Sequence, residues 1–395
     1  MSANSPLIKF YVLFFALVLP ASALAGKKPA INHFDRIDLA APMPAGENVL
    51  GLRAFGNNWR LRLNDNRKLF GRLNADAVRA LRAGDDRFFA GSIDGIDGSW
   101  VRLNWIDGAW SGGFYDGTEL YLVDRRGSLE LPAGRSAAPG QLIAYRFSDL
   151  ELGDVIGHEP LIAAPARPAT SQYGGFIDHL REVAQAGEAL FLMPITVVTD
   201  ANFGATFGAS TASTVAGRTN FIDGIYSSQL GTGITLFHHE PLTGNGTLTA
   251  TDAQDLLEQF GDFMRSGAGS AIPFQGLAHL FTSRTRDGNT AGIAYLGALC
   301  NSSFGFGVDW NLSNETTNSL VYAHEVGHNF NAPHDGFGAC ANETFEGIMN
   351  PSINGSQQFS ACSLQEMGNE VATAGCLIEN PDSGAVFADG FEPNA

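Results

Sequence analysis

Three histidines and one glutamate stand at spacings that suit metal chemistry: His324, Glu325, His328 and His334. Residues four apart on a helix share a face one turn apart, so a helix entering through Ser319-Leu320-Val321-Tyr322 would aim His324 and His328 at one point. Two imidazoles so placed can hold one Zn²⁺ from a single rigid element, and Glu325 on the adjacent face can reach a water at that metal. Asn331-Ala332-Pro333 then turns the chain and lets His334 approach from another direction. A helix stopped this abruptly needs a residue that tolerates left-handed φ, and asparagine is the next most tolerant after glycine. Three neutral nitrogen ligands leave a fourth position for water, the mark of catalytic rather than structural zinc. The metal would lower the pKa of that water, and Glu325 would take its proton. The competing reading is a chance H-E-x-x-H on a surface helix. The third histidine, and the apolar helix ahead of the motif, weigh against it.

The elements that must hold these groups are legible from periodicity. Leu190 to Val198 is a continuous apolar run suited to a buried strand, and Thr211 to Tyr226 has apolar residues at helical spacing. Gly233 to Phe237 reads as a second strand, and Asp252 to Met264 as an amphipathic helix behind Thr251 as N-cap. Phe274 to Thr282 and Gly292 to Leu299 are further strand candidates, and this alternation indicates an α/β sheet. Upstream, Val49 to Asp124 alternates apolar and polar residues, as in Trp59-Arg60-Leu61-Arg62-Leu63, with turn dipeptides at Asp107-Gly108 and Asp116-Gly117. That pattern predicts a small antiparallel β domain, a barrel or a sandwich. The expected divisions are a signal peptide over 1–25, a β-rich domain over 26–131, and a linker and maturation region over 132–187. An α/β domain over 188–380 and a tail over 381–395 complete the chain.

The net charge of −17 lies wholly in the second half. Residues 1–187 balance 20 basic against 20 acidic residues, whereas 188–395 carry no lysine, only Arg218, Arg265, Arg284 and Arg286, against 21 acids. A domain this acidic repels phosphate backbones, which argues against a nucleic-acid partner. Lys9, the apolar run Phe10 to Leu19 and the small-x-small site Ala23-Leu24-Ala25 form a secretory signal. No later stretch is apolar enough to span a bilayer, so a secreted or periplasmic destination is expected. Cys300, Cys340, Cys362 and Cys376 are then expected to form two disulfides, with three pairings open. His238-His239-Glu240 could ligate a second metal, but adjacent strand residues face opposite ways, which favours a solvated loop. The chain has no D-x-D-x-D-G loop, so a calcium ion, although compatible with the acidic surface, has no support.

The run His324-Glu325-Val326-Gly327-His328-Asn329-Phe330-Asn331-Ala332-Pro333-His334-Asp335, followed by Ile348-Met349-Asn350-Pro351, resembles the metzincin zinc peptidases. Asp335 directly after the third histidine points to their adamalysin (reprolysin) branch. The resemblance implies an α/β metzincin catalytic domain, with Met349 in a turn beneath the zinc and binding no metal. It implies that Gly292-Ile293-Ala294-Tyr295-Leu296-Gly297 is the edge strand that pairs with an extended polypeptide substrate. It implies disulfides Cys300–Cys376 and Cys340–Cys362. The β domain, from Ser99 to Asp124, resembles the pro-domain of the same family, which would make it a partner of the enzyme before maturation. This chain departs from the family at Asn331, where the pattern has glycine, and in having no cysteine before 300 to keep the zinc latent. The expected activity is metalloendopeptidase. The alternatives are a zinc protein that acts by binding partners, against which Glu325 argues, and a zinc hydrolase of non-peptide bonds, against which the edge strand argues. Oligomeric state is not encoded in any of these features.

Overall fold

The alternation from Val49 onward folds, in a computed structural model that describes residues 28–42, 48–70, 85–125, 127, 129–152, 162–165, 182, 189–344, 347–353 and 356–380, as one antiparallel sheet of eight strands. These are β1 (Asp35–Arg36), β2 (Asn48–Ala54), β3 (Asn57–Asp65), β4 (Arg87–Ile93), β5 (Trp100–Ile106), β6 (Ala109–Tyr115), β7 (Leu120–Arg125) and β8 (Leu142–Arg146). Their order is β1-β8-β7-β6-β5-β4-β3-β2. Asp107 and Gly108 join β5 to β6 with φ of 50° and 70°, both left-handed, which is what a two-residue hairpin turn needs. The sheet is neither a closed barrel nor a sandwich. It stays open and curls, with the Phe55 amide after β2 donating to Asp35 Oδ2 in β1 at 2.5 Å. Leu61, Phe89, Leu103, Trp110 and Phe114 fill one face, while Phe88, Trp100, Leu120, Leu122 and Tyr145 fill the other.

The linker expected from residue 132 does not begin there. Leu142–Arg146 is an inner strand between β7 and β1, and Leu150–Glu151 pairs with Ala30–Ile31. Ile143, Ala144 and Tyr145 are buried on both faces, so this strand lacks the alternation by which its neighbours are recognised. Most of 153–188, with the expected signal peptide and tail, lies outside the described residues.

The second lobe is built on a mixed sheet: β9 (Ile162–Ala163), β10 (Phe191–Thr199), β11 (Thr232–Pro241), β12 (Leu277–Thr282), β13 (Gly292–Leu296), β14 (Phe306–Trp310) and β15 (Ile378–Glu379). The path runs β9-β13-β14-β12-β10-β11, with β15 added to β10. The inner pairs are parallel, whereas β13 runs antiparallel to β14. Its helices are α1 (Ala201–Phe207), α2 (Thr211–Leu230), α3 (Ala253–Arg265), α4 (Glu315–Asn329) and α5 (Ala361–Val371). The N-cap of α3 is Asp252, whose side chain accepts from the Asp255 amide at 3.1 Å, one residue later than the expected Thr251. Asp252 wins because its carboxylate also meets the positive helix end.

Helix α2 is buried around nearly its whole circumference because it is packed between the two lobes. Asp223, fully buried, receives Arg102 at 2.8 Å and Lys68 at 3.4 Å, both from the β lobe. Asn66 donates to Asn220 at 2.7 Å, and Asn220 donates to Asn104 at 2.8 Å. At Gly217 a Cβ would stand 3.1 Å from Asn104, and at Gly224 it would stand 2.8 Å from Arg102 and Trp100, so both glycines let β5 lie close to the helix. Elsewhere in this lobe Arg218, 2% exposed, holds Glu315 at 2.9 Å. Arg284 donates to Ala250 O at 3.0 Å and Leu248 O at 2.5 Å.

Burial alone would raise the Asp223 carboxyl, but Lys68 and Arg102, with the Ile234 amide, hold it below its ordinary value. A depressed carboxylate stabilises the fold fully above the unfolded value, about 3.9, and loses that contribution as pH falls through the folded value. Asp223→Asn, which strands two buried cations, is expected to lower unfolding free energy by about 3–5 kcal/mol at neutral pH. Urea denaturation at pH 7 and at pH 3 checks this, with a smaller wild-type-to-variant difference in acid.

Candidate metal centre

Helix α4 carries the motif and is fixed at both ends. Asn314 caps it by accepting from the Thr317 amide at 3.0 Å, and Tyr226 of α2 donates to Ala323 O at 2.8 Å near its middle. The helix stops at Asn329, and Asn331 follows with φ of 72°, in the left-handed region. The Asn331 amide donates to His328 O at 2.8 Å and the Ala332 amide to Gly327 O at 3.0 Å, which closes the turn and carries His334 back over the helix.

The three imidazoles meet. His324 Nε2 and His328 Nε2 each lie 3.2 Å from His334 Nε2. His324 Nδ1 donates to Ile348 O at 2.7 Å and His328 Nδ1 to Ala332 O at 2.8 Å. A carbonyl can only accept, so the network places the proton of both rings on Nδ1 and leaves each Nε2 as a lone pair. Converging lone pairs repel unless a cation lies between them. Ligand nitrogens about 2.0–2.1 Å from a tetrahedral zinc sit about 3.3–3.4 Å apart, so the donor set fits that ion. Among the described residues this is the group of His, Cys, Asp or Glu side chains able to hold a metal, with its ligand atoms within 4.8 Å of one another.

What surrounds the triad keeps it in register. Met349 is fully buried beneath α4, and a Cβ at Gly327 would come within 2.6 Å of its Sδ, so only glycine leaves room there. The Asp335 amide donates to Met349 O at 2.9 Å, while its carboxylate accepts from the Gly347 amide at 2.9 Å and from Ser360 Oγ at 2.7 Å. Ser360 is the N-cap of α5, so Asp335 joins the third histidine to the Met349 turn and to a helix N-terminus. Disulfides Cys340–Cys362 and Cys300–Cys376 tie the segment after His334 to α5, and the segment after β13 to the chain beyond α5.

Glu325 is 1% exposed, and Gly292 of β13 lies against it: a Cβ there would stand 2.2 Å from Glu325 Oε1. The strand expected to run from Gly292 to Gly297 ends at Leu296, and Gly297, at φ 66°, turns so that its amide donates to His328 O at 2.9 Å. Strand β13 is not the outermost at its far end. Ile162 and Ala163 of β9 pair in parallel with Tyr295 and Leu296, and the Ala164 amide donates to Leu296 O at 2.9 Å.

Three residues whose identity the motif does not specify connect these parts. His279, fully buried on β12, bonds Asp309 Oδ2 at 2.8 Å through Nδ1 and Asn329 Oδ1 at 3.0 Å through Nε2. Asn329 in turn donates to Tyr295 O at 2.8 Å and Phe306 O at 3.2 Å, so it fixes β13 to the end of α4. A histidine inside the apolar run Leu277–Thr282 was the available signal. His238 and His239 lie on β11 rather than in a loop. His239 Nε2 meets Thr199 Oγ1 at 3.0 Å, and burial, then the neighbouring His238, brings its pKa down to about 4.

Residues 193–360 match a reprolysin profile of metallo-peptidase family M12. The human disintegrin and metalloproteinase domain-containing protein 9 is 36% identical over 98 residues, 24% of this chain and 12% of that protein. Human disintegrin and metalloproteinase domain-containing protein 11 is 26% identical over 318 residues, 76% of this chain and 40% of its own length. The mouse protein of that name is 24% identical over 393 residues, 92% of this chain and 50% of its own. The chain thus spans half or less of the length of these relatives.

Dialysis of the protein against Zn²⁺ is expected to leave one ion per chain. His334→Ala, whose loop stays tied by Asp335 and Cys340, should weaken that binding by more than about 100-fold, since loss of a mere outer partner costs 10–100-fold.

Proposed function

With residues 193–360 identified as an adamalysin/reprolysin-type metzincin domain, we propose that this protein is an exported zinc endopeptidase that cuts internal bonds of extended polypeptides. His324, His328 and His334 hold the zinc and Glu325 is the general base. The observation that carries this reading is the convergence of three buried Nε2 atoms beside a buried carboxylate that lies under strand β13. When bound, zinc supplies a Lewis acid for the scissile carbonyl.

The rest is the work of the chain's own groups. Glu325 accepts the proton of the attacking water and returns it to the leaving amine, a role that contributes roughly 10²–10⁴ to the rate. The outward backbone groups of Gly292–Ala294, beside the stretch that β9 covers, pair with an extended substrate and give affinity without side-chain contacts. Gly292 over Glu325 sets which substrate bond comes to the base. Met349 shapes the floor of the site and binds no metal. Export rests on the pattern of residues 1–25, and no helix among the described residues is long and apolar enough to cross a membrane. The β lobe corresponds in this reading to the family's pro-domain. The second reading, a zinc protein acting through partners, leaves the buried Glu325 without a purpose.

Casein hydrolysis by the purified protein is expected to be abolished by a zinc chelator and restored by added Zn²⁺. Glu325→Ala should bind one zinc per chain and lose activity by about 10²-fold or more. A wild type that binds zinc but cleaves neither casein nor a peptide library would sink the endopeptidase reading. Gly292→Ala tests the strand-to-base contact: its methyl group must displace the Glu325 carboxylate, so kcat should fall at least about 10-fold with zinc content unchanged.

A further inference from the structure

The geometry points to a β lobe that stays seated on α2 as a permanent half of the enzyme, including after the chain between the lobes is cut. A pro-segment that leaves must separate from a surface each partner can expose to water. This surface does not meet that condition. The apolar core on the outer face of the β sheet is continuous with that of the peptidase lobe: Phe88, Trp100, Leu120, Leu122 and Tyr145 form one cluster with Val215, Phe221, Ile222 and Ile225. Trp100 meets the Phe221 ring edge-on at 6.0 Å. Separation would expose both halves of this core at once, which is the property of an obligate interface rather than a transient one.

The polar groups of the interface are matched as closely as the apolar ones. Asp223 takes Arg102 through Nε and Nη2, each at 2.8 Å, with Lys68 at 3.4 Å, and the two cations come only from the β lobe. All three side chains are at least largely buried, with 0%, 4% and 13% exposure. Around them Asn220 bridges Asn66 and Asn104, Thr235 Oγ1 donates to Lys68 O at 2.8 Å, and Tyr145 shares a hydrogen bond with Thr316 at 3.3 Å. Gly113, Gly217 and Gly224 remove the side chains that would hold the two surfaces apart; a Cβ on Gly113 would stand 3.0 Å from the Phe221 ring. These interlobe bonds fall on residues of α2, β11 and the first turn of α4, while the Nε2 atoms and Gly292 lie at the other end of α4 and on β13. The lobe thus grips the back of the catalytic scaffold. The partner this face of α2 fits is a β lobe that presents an arginine and an asparagine from β5 and a lysine and an asparagine from the segment after β3, and the chain supplies it.

The test places a recognition sequence for a sequence-specific protease between residues 164 and 189 of the full chain. After complete cutting, the two fragments are expected to co-elute on size exclusion at the volume of the uncut protein, and to separate only in denaturant. Fragments that elute apart in buffer, with the C-terminal one keeping a cooperative thermal transition, would overturn the proposal. Lys68→Met with Arg102→Met, in the cut protein, should raise the dissociation constant of the fragments at least 100-fold, and Arg102→Lys should recover part of that loss. Equal retention in the double variant would remove the ion cluster as the lock. Neither readout depends on peptidase activity, so an inactive enzyme leaves this test intact.

Discussion

Everything at the centre depends on where two protons sit. For His324 and His328 to offer lone pairs to one point, each ring must carry its hydrogen on Nδ1, and each therefore needs a backbone carbonyl to receive it. Those carbonyls belong to Ile348 and Ala332, one in the Met349 turn and one in the turn after α4. The two turns are thus part of the electronic structure of the ligands, as well as packing around them. Asn331 at φ 72° makes the second turn possible, and Asp335 links it to the first: its carboxylate accepts from the Gly347 amide and its own amide donates to Met349 O. Loss of either turn would free the rings to adopt the other tautomer, and the donor set would no longer converge.

The same economy appears in how the scaffold is held. Helix α2 touches both the motif helix, through Tyr226 to Ala323 O, and the β lobe, through Asp223 and Asn220. A helix with two buried faces and a line of small residues is poorly suited to standing alone. The position of α4 therefore passes through α2 to a sheet that contributes no group to the histidine centre.

The metal-binding motif was readable in the sequence because its chemistry demands fixed types at fixed spacings, and the order of strands and helices from Leu190 to Leu299 followed from period, except for the short helix α1 (Ala201–Phe207), which period did not reveal. The boundary of the β lobe was not. Ile143-Ala144-Tyr145 is buried on both faces, and a strand with two dry faces gives no alternation to detect. The charge cluster at Asp223 was equally hidden, since Lys68 and Arg102 lie in a stretch where solvent-facing basic residues are the common case. His279, Asp309 and Asn329 come from three elements, and no local pattern announces that they meet. Register, tautomer and interlobe packing are non-local, and these were the parts beyond reach.

The uneven placement of cations has one more consequence. From residue 188 onward a protease that cuts after lysine or arginine finds only four bonds to attack. Arg218 lies inside α2 with 2% exposure, the Arg284 side chain is 7% exposed, and Arg265 is held by Ser303 O and Asp262 at the end of α3. Residues 1–187 hold the other 20 basic residues. A trypsin-like enzyme therefore finds most of its bonds ahead of residue 188, and two of the cations there, Lys68 and Arg102, are shielded by the interlobe packing.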